Sequence, residues 1–204
     1  MRKIEFALVI MLSILITSVS FSFFSKYGNN QKPSDEEEPF FGPARFEQIG
    51  TIVGYSEVVG DLKARGAKLY LPGYIPNGYN RTAIWAKSVN GEIGFPLIIL
   101  YSKHGDTQIV SAEICIEIYG SVGIPFIEPC PDDTTSRFTN VIIEKQSLIT
   151  YIDERAGYNW PGEENDYSIL MDVWINGINY LYRIHPSIGL ENAMRIIESM
   201  KLVT

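Results

Sequence analysis

The chain has 204 residues, a formal net charge of −7 and a pI of about 4.9. That acidity argues against nucleic-acid binding, whose phosphate contacts need a basic face, and against charge-driven adhesion to anionic lipid. Aromatic residues make up 12% of the chain, twelve of them Tyr, a supply that suits pleated, half-buried strands.

Residues 1–25 carry an address. Arg2 and Lys3 precede an apolar run of nineteen residues, Phe6 to Phe24, with Glu5 at its interface end. As a helix such a run rises about 28 Å, close to the ~30 Å thickness of bilayer hydrocarbon. The basic flank stays in the cytoplasm and places the remainder outside. Two readings stand. One is an uncleaved single-pass anchor in the cell membrane. The other is a cleaved signal peptide with a Phe6–Ile16 core and Ser18-Val19-Ser20 as its cleavage site, which would leave the protein secreted. Residues 26–44 read as an acidic Pro/Gly/Asn linker, with Asp35-Glu36-Glu37-Glu38 as a solvated spacer. Residues 45–204 read as one extracytosolic domain, and about 160 residues suffice for a real core.

Within that domain the stretch Phe46–Val53 is ambiguous. Ser56 reads as an N-cap for a helix over about Glu57–Arg65, with Gly66 as its stop. Leu71 to Tyr79 holds two prolines and two glycines, which argues against regular structure there. The period then becomes two. Thr82–Val89 and Phe95–Ser102 form a hairpin across Asn90-Gly91, and Pro96 marks a strand start or an edge. Gln108–Tyr119 alternates cleanly, one face apolar, which predicts a sheet covered on one side only. Gly120–Ser136 is a proline-containing loop. Val141–Glu144 and Ser147–Ile152 are short strands, and Ala156–Asp166 is a polar loop. Tyr167–Ile175 and Ile178–Ile184 pair across Asn176-Gly177. An amphipathic helix closes the chain over about Leu190–Met200. The class is α+β: a curved antiparallel sheet of about six or seven strands, with one N-terminal and one C-terminal helix on one face, behind a membrane-anchor helix.

The segment Leu71-Pro-Gly-Tyr-Ile-Pro-Asn-Gly-Tyr79, the Leu100-Tyr101-Ser102 strand end, the Trp174–Tyr180 hairpin and the closing helix resemble one arrangement. Over roughly Glu57–Leu202 the chain resembles an uncharacterised extracytosolic domain family of bacteria and archaea with an LPxxLPxGY-type opening. That family is distantly similar to the LolA/RseB-like lipoprotein-carrier and sigma-regulator superfamily. The resemblance implies a curved antiparallel sheet with helices across its concave side, often behind a single anchor, and no catalytic residues. The Pro125–Pro131 stretch with Cys130 departs from the pattern.

Chemistry-bearing groups are few. The only histidines are His104, in a turn, and His185, at a strand end. Both read as solvated, without metal-ligand spacing. No nucleophile elbow, phosphate loop or zinc-protease helix is present, so neither a metal nor a cofactor is expected and the chain reads as no enzyme. Loop acids at Asp132-Asp133, Asp153-Glu154 and Glu163-Glu164-Asn165-Asp166 keep a hydrolase as the weaker alternative. Cys115 and Cys130 either close a disulfide loop of about 15 residues or leave Cys115 as a buried thiol. Tyr74, Tyr79, Trp85, Trp160 and Trp174 are candidates for a ligand or partner surface, against core packing as the plainer role. The expected function is a non-catalytic binding or sensory domain for an apolar ligand or a protein partner. A structural envelope component is the alternative.

Overall fold

Strand-forming, period-two sequence fills most of the chain after Asn80, and the computed structural model shows what it builds. Residues 46, 47, 49–89, 91–120, 135–158, 160–162 and 167–204 are described, all within the unit Phe41–Thr204. The anchor or signal segment, the linker, Cys130, Asp132, Asp133 and Glu163–Asp166 lie outside the described residues. Among the described residues no helix is long and apolar enough to cross a membrane.

Ten strands and two α-helices are described: β1 (Thr51–Ile52), α1 (Tyr55–Ala64), β2 (Tyr70–Pro72), β3 (Asn80–Val89), β4 (Glu92–Ser102), β5 (Ile114–Tyr119), β6 (Ser136–Ile143), β7 (Gln146–Gly157), β8 (Tyr167–Ile175), β9 (Ile178–Ile184), α2 (Leu190–Glu198) and β10 (Met200–Leu202). Eight strands form one sheet in the order β1-β3-β4-β5-β9-β8-β7-β6, and β10 pairs with β2 in a second. Every pairing is antiparallel. The fold is α+β, with more strands than the six or seven expected.

Asn176 (φ 52°) and Gly177 (φ 80°) form the expected tight turn between β8 and β9, because a type I′ turn needs positive φ at both central positions. Pro96 neither opens a strand nor lies at an edge. It sits inside β4, between β3 and β5. Register slips there, with Ala86 opposite Leu97 and Lys87 opposite Gly94. Phe95 and Pro96 fall in the irregularity, where a residue without an N–H breaks no ladder bond. The Pro/Gly segment is not wholly irregular either. Its first residues form β2, which pairs Tyr70 with Leu202 and Pro72 with Met200.

One face of the large sheet meets both helices. Val58 and Leu62 of α1 and Ala193, Ile196 and Ile197 of α2 share a cluster with Leu97, Ile99, Ile116, Met171, Val173 and Tyr182. Gly54, not Ser56, caps α1, because the Glu57 carboxylate reaches back to the Gly54 N–H at 3.4 Å. The last helix stops at Glu198, since Met200 joins the β10 ladder.

The expectation of a sheet covered on one side needs correction. Only Ile114–Tyr119 of the alternating stretch is strand. Gln108–Glu113 instead folds into a turn, where the N–H groups of Ser111 and Ala112 both bond Gln108 O at 3.2 Å. That turn carries Ile109 and Ala112 onto the second face, where they bury with Phe46, Ala83, Ile98, Leu100 and Cys115. Covering a second apolar patch outweighs the strand preference of six residues whose alternation already satisfies either arrangement.

Candidate functional site

The register gathers one end of the large sheet. Asn80 at the start of β3 lies opposite Ser102 at the end of β4. Ile114 opens β5 opposite Tyr101 and also opposite Ile184, the end of β9. The connections leaving this end line a cleft of about 350 Å³: Tyr79, Lys103, His104, Asp106, Ser111, Glu113, Trp160, Pro161, His185 and Ser187. Both histidines of the chain are in it.

The 103–107 turn is pinned from several sides. Ser102 Oγ donates to Asp106 Oδ2 at 2.8 Å and accepts from the His104 N–H at 3.0 Å. Thr82 Oγ1 donates to the Asp106 carbonyl, and Trp85 Nε1 to the Thr107 carbonyl at 2.8 Å. One Asp106 oxygen is therefore engaged in shaping the turn, while its side chain still faces the cleft.

His185 is not solvated, as its strand-end position suggests, but only 6% exposed. Its backbone N–H bonds Glu113 O at 2.8 Å, extending the β5–β9 ladder by one step. Its ring stacks edge-on against Trp160 at 4.7 Å. Nδ1 accepts the Ser187 N–H at 3.2 Å, and Ser187 Oγ lies 2.7 Å from the same nitrogen. A serine hydroxyl beside an imidazole invites a nucleophile reading. The backbone bond to that nitrogen identifies instead a cap for the 3-10 turn Pro186–Ile188.

Glu113 is the least satisfied group in the cleft. Its side chain is 13% exposed, and Oε1 lies 3.8 Å from Nε2 of the exposed His104. Oε2 is buried without a hydrogen-bond partner among the described residues. A buried acceptor left unpaired costs about 1–3 kcal/mol, more when charged, so this oxygen calls for a donor from solvent or ligand. Among the described residues no three His, Cys, Asp or Glu side chains are arranged to hold a metal ion.

The aromatic candidates divide. Tyr79 and Trp160 line the cleft. Trp160 is 3% exposed and donates from Nε1 to the Tyr167 carbonyl at 2.8 Å, while Lys103 Nζ lies 4.6 Å above the Tyr79 ring. Tyr74 is elsewhere, its hydroxyl on Asn192 Oδ1 at 2.9 Å and its ring under Arg195. Trp85 packs on the second-face cluster. Trp174 lies between Val173 and Ile175 on β8, facing away from the helices. Cys115 is a buried free thiol, and its possible mate Cys130 is outside the described residues. Asp153 and Glu154, read from the sequence as loop acids, instead lie within β7; Asp153 Oδ1 accepts from Thr135 Oγ1 and the Arg155 N–H, and Glu154 pairs with Arg137. Neither lines this cleft. Sequence reading missed Glu113 because it counts there as one polar position of an alternating strand.

Comparison with family models, with curated proteins and with solved structures finds no match to this chain.

Proposed function

We propose that the chain is a non-catalytic binding or sensory domain, anchored at or exported across a membrane by residues 1–25, whose ligand site is the polar cleft. The extracytosolic placement follows from the basic-then-apolar N-terminus and from the resemblance of the Leu71–Tyr79 segment to the LPxxLPxGY-type family. The single observation that carries the site is Glu113 Oε2, a buried acceptor without a partner among the described residues, in the wall of a cleft that also holds both histidines. The expected apolar ligand between sheet and helices is disfavoured by packing. Leu97, Ile99, Ile116, Met171, Val173, Ala193, Ile196 and Ile197 fill that layer at 0% exposure, which leaves no room without displacing side chains.

The test is chemical-shift mapping of the full chain in phosphatidylcholine nanodiscs, with a mixture of glucose, putrescine and acetate as small polar probes. Shifts concentrated at Ser111, Glu113 and His185 support the cleft. Shifts absent, or scattered over the surface, remove it.

A second reading, a laterally assembling envelope component, draws on Ile142 and Ile149, 66% and 60% exposed on the β6–β7 hairpin. Light scattering of the same sample distinguishes it, since only that reading requires an oligomer that Ile142→Asp dissociates.

A further inference from the structure

We propose that the cleft takes a neutral polyhydroxyl ligand, a saccharide or polyol; this deepens the reading above and rests on the cleft being the ligand site. The walls differ in hydrogen-bonding character. Lys103 and His104 supply donors. Glu113 and Asp106 supply acceptors. Ser111, Ser187 and the Tyr79 hydroxyl do both. A ligand ammonium would find Glu113 but would share the space with the Lys103 charge. A ligand carboxylate or phosphate would find Lys103 but would face Glu113, whose buried position weakens solvent screening. A hydroxyl group donates and accepts at once, so a ligand built of hydroxyls meets a complement at every wall without bringing a charge of its own.

Two further features fit the same chemistry. Glu113 presents a buried oxygen that needs one donor, and its other oxygen faces His104. A sugar hydroxyl that donates to Oε2 satisfies it, and a neighbouring hydroxyl lies within reach of the imidazole. The half-buried Tyr79 brings its hydroxyl to the same wall, with Lys103 Nζ 4.6 Å above its ring. The cleft volume, about 350 Å³, falls at the lower end of the ~300–1,000 Å³ usual for small-molecule sites.

The experiment titrates the full chain, in phosphatidylcholine nanodiscs to avoid sugar-headed detergent, with glucose, maltose and N-acetylglucosamine separately. Putrescine and acetate are run as charged probes at matched concentration. Resonances of Ser111, Glu113 and His185 and the fluorescence of Trp160 report occupancy. The expected result is saturable binding of at least one sugar, weakened tenfold or more by Glu113→Gln and less by His104→Ala. Glu113→Gln is checked for folding by its thermal melt, and His104, 78% exposed, gives a second variant that leaves the core untouched. If putrescine or acetate saturates these signals and no sugar does, the ligand class is overturned while the cleft survives. If no probe of any class moves them, the cleft reading falls as well. Sugar binding that Glu113→Gln leaves unchanged also overturns the proposal.

Discussion

Arg183 stands on β9 opposite Cys115 with 5% exposure. Nη2 donates to the Ile109 carbonyl, and the guanidinium lies 4.2 Å from the Tyr158 ring centre and 5.2 Å from that of Trp160. Nε and Nη1 have no hydrogen-bond partner among the described residues. A buried charge so incompletely satisfied contributes little net stability, because desolvation offsets the ring and carbonyl contacts. Arg183→Met is therefore expected to lie within about 1 kcal/mol of the parent in urea melts. A loss above about 3 kcal/mol would mean the guanidinium is fully paired in solution. Sequence alone did not mark this residue, since an Arg in an alternating strand normally points to water. His185 escaped for the same reason: its burial depends on Trp160, a partner 25 positions earlier by their numbers.

Elements were legible where local chemistry is strong. The β8–β9 hairpin matches the strand limits read from Asn176-Gly177, because positive φ leaves few alternatives. Gly177→Ala should cost roughly 1–2 kcal/mol in a thermal or urea melt, the penalty of a side chain in that conformation. The closing helix was equally legible from Ala193, Ile196 and Ile197, all at 0% exposure. Ile197→Ala should lose about 2–5 kcal/mol, whereas Ile149→Ala, on a residue 60% exposed, should stay within about 0.5 kcal/mol. Equal losses in the two variants would refute the assignment of the buried face. The 108–113 turn was illegible because alternation fits a strand and a covering loop alike. Only the second-face cluster, drawn from Phe46, β3, β4 and β5, decides between them.

At the scale of the molecule, burial pushes the hydroxyl pKa of Tyr182, Tyr180, Tyr101, Tyr119 and Tyr158 upward, and pushes the Cys115 thiol up to about 12 against the pull of Arg183. The unfolded chain releases these protons from 9.0 for the thiol and 10.0 for the phenols, while the folded chain keeps them. The unfolded state then binds fewer protons, so the stability these groups contribute is complete below pH ~9 and falls as pH rises, by up to about 1.4 kcal/mol per pH unit for the fully buried Tyr182 and Cys115 and by less for the half-buried Tyr158. Urea melts at about pH 8 and about pH 10.5 should show the loss. Absorbance near 295 nm should show tyrosinate appearing together with unfolding. Titration of all the tyrosines without loss of structure would contradict it. The strand order, by contrast, was beyond sequence reading. The α+β class follows from patterning, but nothing local states that β9, not β6, lies beside β5.

That adjacency governs how the chain can be assembled. The pairs Ile114–Ile184 and Tyr119–Asn179 close loops of 70 and 60 positions by subtraction, and they join two hairpin stacks that are each locally wired. A ribosome delivers the first stack long before β9 exists, so β5 waits with an open edge through the synthesis of β6, β7 and β8. Such non-local closure is slow, and an unpaired edge in the interval is open to foreign strands. Anything that shields β5 during that delay would raise yield without touching the finished protein.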